Sequence, residues 1–187
     1  MPFCACVATP ILYTNLLVCG MLGSETPKLS LGICTGIQKW LSDVKVNTID
    51  TGNLGVGTSQ AFLTIPPPIL LVSLIKAFSD AHISGAMAPL LALGLSNGLP
   101  AALLTAVVFT NHIGVGSGSA IARFQATDAT KAMTEGFRAV GLDGAEKMAR
   151  ALGKALPSCF GMFYMNLTIK GSSTPNIGLG KSTGKIL

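Results

Sequence analysis

"NHIGVGSGSAI", residues Asn111 to Ile121, sets glycines at 114, 116 and 118 behind an apolar run. Alternate glycines suit phosphate binding and a tight turn equally well, because both need backbone that a Cβ would obstruct. The rest of the chain decides between them by repetition. "NLGVG" from Asn53, "HIGVG" from His112 and "NIGLG" from Asn176 are copies of one segment, and the landmarks around them recur about 60 residues apart. Upstream, "LSLGICTGIQKWL" from Leu29 aligns with "LALGLSNGLPAAL" from Leu91 and, more loosely, with "ARALGKALPSCF" from Ala149. Further upstream, "LLVCGMLG", "FSDAHISG" and "FRAVGLDG" end at Gly23, Gly85 and Gly144, and Pro27 and Pro89 coincide in the first two copies.

Each unit reads as a helix ending near its first glycine, a second helix rich in Gly and Leu, a strand, the glycine turn and another strand. Strand candidates are "KVNTIDT", "LTAVVFT" and "FYMNLTIK" before the turns, and "SQAFLTI", "SAIARF" and "KIL" after them. The expected class is therefore α+β, with three approximate repeats of a helix pair plus a Gly-turn β-hairpin, over about 8–65, 66–125 and 126–187 of one compact domain. Gly55, Gly57, Gly114, Gly116, Gly178 and Gly180 are expected at the turns. In the third unit apolar residues recur at three and four spacing, and Asp143 is a cap candidate for its second helix. Pro66, Pro67 and Pro68 are expected to hold an extended approach to the third helix.

Composition limits what such a molecule can do. Of 187 residues, 49% are hydrophobic and 11% charged, and from Leu54 to Ala122 the sole charges are Lys76 and Asp80. So few charges cannot cover a free-standing globule, so a bilayer or neighbouring subunits must cover the middle unit. The mean hydropathy of +0.58 fits either. The net charge of +5 is thinly spread, densest at Lys181 and Lys185, and gives no specific nucleic-acid readout. The first residues lack the basic start of a secretory signal and read as mature protein. Five cysteines, Cys4, Cys6, Cys19, Cys34 and Cys159, with no Cys-x-x-Cys pair, argue against a disulfide framework or zinc site. Buried thiols are expected, with intermolecular disulfides left open at Cys4 and Cys6.

The motifs that resemble catalytic or cofactor sites are incomplete. A dinucleotide fingerprint needs a third glycine at another spacing and an acid about 20 residues on, and Asp128 stands too close. "GLGKSTGK" has the wrong spacing for a phosphate loop and no room for the helix that should follow it. His82 and His112 have no ligand-spaced partner beyond Asp80, and Ser117 lies between two glycines without a nucleophile elbow. The eight acids form no glycosidase-like pair. "NLT" at Asn166 falls in a strand candidate, which makes it an accidental glycosylation motif. No enzyme activity, cofactor or metal is expected.

The segment Gly85 to Phe109 is uncharged for long enough to span a bilayer, so an integral membrane protein with a helical hairpin near 67–109 is the alternative reading. Against it, Ser96, Asn97, Gly98 and Pro100 interrupt the run, no aromatic or basic belt flanks it, and the sister units carry charges there. "FSDAHISGAMAPLLALGLSNGL" together with "TNHIGVGSGSA" resembles virion structural proteins of tailed bacteriophages, over most of the chain, without distinguishing capsid, neck, tail or baseplate. The resemblance implies a non-enzymatic subunit of a viral particle, assembled in the host cytoplasm and bound to copies of itself and to other virion proteins. Phe62, Leu63 and Ile65, with Leu90, Leu91 and Leu95 on the following helix, are the expected subunit interface. A charge at Leu91 or Leu95 is expected to abolish assembly and leave the chain soluble.

Overall fold

The structure, a computed structural model, describes the backbone of residues 4–42, 45–52, 58–64, 67–104, 107–112, 117–123, 125–159, 165–170 and 178–186, and side chains over 4–42, 69–103, 125–156 and 158. Every element described with its side chains is a helix: α1 (Ala5–Val18), α2 (Thr26–Leu41), α3 (Pro67–Asp80), α4 (Met87–Leu104), α5 (Ala126–Arg138) and α6 (Glu146–Cys159). The body whose packing can be described is all-α, six helices and no strand. The expected α+β class with Gly-turn β-hairpins is corrected to that, because the continuous buried core is supplied by helices alone. Paired extended backbone does run between and after the helix pairs, as Lys45–Gly52, Thr58–Thr64, Val107–His112, Ser117–Arg123, Met165–Lys170 and Gly178–Ile186. Its side chains lie outside the described residues, and the class rests on the helices.

Gly178 and Gly180 sit inside such a pairing, opposite Gly52 and Asp50, and not at a turn as expected. Gly55, Gly57, Gly114 and Gly116 lie outside the described residues.

Each helix packs on its sequence neighbours, and α6 returns to α1, so the six close into a ring. One apolar cluster runs through all of them: Leu12 and Leu16, Ile33, Ile37 and Trp40, Leu70, Leu74 and Phe78, Leu95 and Leu99, Met133 and Phe137, and Ala149 and Leu152. Each of the larger side chains buried this way contributes about 1.5–3 kcal/mol. On α5 and α6 these residues form an apolar stripe opposite a charged face. By contrast α1 and α4 are apolar all round, so periodicity alone does not orient them.

Small residues set the helix spacing. A Cβ on Gly36 would lie 2.7 Å from Leu74 Cδ2 and 3.1 Å from its Cα, and one on Gly32 would lie 2.9 Å from Phe78 Cδ1, so α2 meets α3 through these two glycines. At the α4–α5 crossing a Cβ on Gly136 would stand 2.5 Å from the amide nitrogen of Gly98, while Gly94 faces the ring of Phe137. Gly153 of α6 faces Thr130 of α5. The aligned glycines of the sequence are thus helix-contact residues.

The first helix of each pair ends in the same way. The amides of Gly20, His82 and Gly141 donate to the carbonyls of Leu17, Ser79 and Arg138, and those of Met21, Ile83 and Leu142 donate to Leu16, Phe78 and Phe137. This is the Schellman cap, with its left-handed residue at φ 83°, 55° and 76° and an apolar residue next, packed on the core. The helices therefore stop about one turn before Gly23, Gly85 and Gly144.

Pro67 and Pro68 open α3 as part of its first turn, where the missing amide costs no helical bond. Pro27 and Pro89 take comparable places in α2 and α4. Asp143 precedes α6 by too far to cap it, and its carboxylate stands 4.0 Å from Arg138 in an exposed pair.

Cys4 and Cys6 are bonded to each other at the start of α1, with Cα atoms 5.3 Å apart. That corrects the expectation of thiols or intermolecular bridges there: two residues bracketing a helix start bring their sulfurs within bonding reach. Cys19 is a partly exposed thiol and Cys34 a buried one.

Candidate functional site

Core demand fixes one side of α3 and α4 and leaves the other free. In α3, Leu70, Leu74, Ala77 and Phe78 point inward, so helical spacing turns Ile69, Val72 and Ile75 out to solvent. In α4 the inward set is Ala92, Leu95, Leu99, Ala102 and Leu103, and Met87, Leu90 and Leu93 are turned outward. The consequence is that two adjacent helices leave six large apolar side chains exposed, together with the charges Lys76 and Asp80 on α3. Isolated apolar side chains are ordinary on a surface; a row on each of two packed helices is a candidate contact surface.

Where α3 turns into α4, Ile75, Phe78, Ser79, His82, Ile83, Ser84, Gly85, Ala88 and Pro89 line an open hollow of about 370 Å³. Its polar groups are hydroxyls and the exposed imidazole of His82. Among the described residues, no cluster of three or more His, Cys, Asp or Glu side chains could hold a metal ion. Two side-chain polar atoms, Thr9 Oγ1 and Trp40 Nε1, are buried without a described hydrogen-bond partner. They lie on α1 and α2, apart from the hollow's lining.

Only part of the expected interface falls on this face. Leu90 is 38% exposed and belongs to it, and Leu91 is half-buried against the core. Leu95 is fully buried within its own chain, so its assignment to an interface is corrected: it is a core residue, placed inward with Ala92 and Leu99. Phe62 and Leu63 lie in the extended backbone Thr58–Thr64, whose side chains are outside the described residues, as is Ile65 altogether. The residues missed by sequence reasoning are Ile69, Val72, Ile75, Met87 and Leu93. Their signal was spacing: in each helix they recur every third residue beside the leucines that go inward.

No described helix is long and apolar enough to cross a membrane. α4 comes nearest by composition, and a rise of about 1.5 Å per residue leaves its 18 residues short of a hydrocarbon layer of about 30 Å. Pro100 does not break it, and its inner side is occupied by the protein's own core. No protein-family model matches the chain, and searches of curated proteins and of solved structures find no match.

Proposed function

We propose that this chain is a non-enzymatic structural subunit of a multimeric, phage-like virion, and that its α3–α4 face is a subunit contact. One observation carries the reading: Ile69, Val72, Ile75, Met87, Leu90 and Leu93 stand exposed on two adjacent helices in a chain with 11% charged residues. Leaving such a surface in water forgoes about 25 cal/mol for every Å² a partner could cover. A repeated subunit in a shell, ring or tube covers it without a separate partner protein. The resemblance of "FSDAHISGAMAPLLALGLSNGL" together with "TNHIGVGSGSA" to tailed-phage virion proteins supports this setting.

The test is the mass of the purified chain in detergent-free buffer, measured by light scattering and analytical ultracentrifugation across concentration. Discrete multimers are expected, and Leu93→Asp should shift them toward monomer with the helical circular dichroism unchanged. A wild-type chain that stays monomeric at the highest attainable concentration would remove the proposal.

A further inference from the structure

We infer that the α3–α4 face binds a second copy of this chain across a two-fold axis lying in the interface and crossing α3 near Phe78. The inference rests on the assembly reading and specifies its partner and register. The two charges on the face carry it. Lys76 and Asp80 are both exposed and four residues apart on α3, and neither forms an ion pair with any described residue. Their order along the helix, cation first, is the less favourable one for pairing within it. In an isologous contact, whatever residue i meets on its partner also meets residue i in return. Antiparallel α3 helices centred on Phe78 therefore set Lys76 of each copy against Asp80 of the other, and both charges are answered at once.

Val72, at 67% the most exposed apolar residue of α3, lies one turn before Lys76 on the same side of the helix, and in this register it falls beyond the end of the partner's α3, which stops at Asp80. Phe78 and Ser79 line the hollow together with Ala88 and Pro89 at the α3–α4 turn.

The decisive experiment is charge reversal in the full chain, read by sedimentation equilibrium. Lys76→Asp alone and Asp80→Lys alone should each weaken the dimer step about tenfold, since each reversal creates two like-charge contacts. The double reversal, with opposite charges facing again, should return to within about threefold of wild type. Circular dichroism checks that these surface variants fold. Multimers indifferent to Val72→Asp and to both single reversals would overturn this face as a contact, both for the two-fold dimer and for the proposed function, and leave only the reading of a multimeric subunit standing. A dimer weakened by Val72→Asp without rescue by the double reversal would overturn the two-fold register. A wild-type chain that is monomeric throughout would overturn both readings.

Discussion

At His82 the chain places a side chain where its two sister caps have glycine. The left-handed backbone at φ 55° costs a non-glycine residue roughly 1 kcal/mol. His82→Gly should therefore stabilise the fold by about 0.5–1 kcal/mol, and Gly141→Ala, at φ 76°, should cost about as much; urea midpoints at constant slope measure both. A second pair separates packing from propensity. Gly136→Ala presses a methyl into the backbone of Gly98 and should destabilise by about 1–3 kcal/mol even though alanine favours helix. Gly144→Ala meets nothing within 4 Å and should be nearly neutral. Equal effects at Gly136 and Gly144 would contradict the close crossing of α4 and α5. The sequence showed that glycines recur at fixed landmarks; it did not show that some glycines space helices and others cap them, because both roles ask for the same missing side chain.

Elements were legible where their faces differ in polarity. The third unit announces α5 and α6 through charges alternating with Ala, Met, Phe and Leu, and the landmark glycines locate the ends of α1, α3 and α5 to within about a turn. The middle unit gives no such contrast. In "MAPLLALGLSNGLPAALL" almost every position is apolar or small, so Leu90, Leu91 and Leu95 look alike until packing assigns Leu95 inward and Leu90 outward. The extended segments were read from β-branched and aromatic content, while the described core is helical throughout, and the α+β class did not survive that. The correction makes a prediction at this scale. Leu95→Asp should unfold the protein, since a buried unpaired charge costs several kcal/mol. Leu93→Asp, two positions earlier on the outer face, should leave thermal unfolding of the monomer within about 0.5 kcal/mol of wild type. Calorimetry of both variants distinguishes a core position from a contact position.

For the whole molecule, the three helix pairs do not make three independent stability units. The apolar cluster is continuous through all six helices, and α6 packs on α1. Unfolding should be one cooperative transition with calorimetric and van't Hoff enthalpies in agreement; separated transitions for the pairs would show that the ring is divisible. Under the assembly proposal the midpoint should also rise with protein concentration, because association draws on the folded state. The α1–α6 contact has a further consequence, for the chain as it is made. Translation yields about 5–20 residues per second, so roughly 7–27 seconds pass between synthesis of Leu16 on α1 and of Leu152 on α6, the helix that packs on it. During that interval the first helix pair is an unfinished surface, and the order in which a ribosome delivers the helices makes α1 the segment on which a chaperone has the longest time to act.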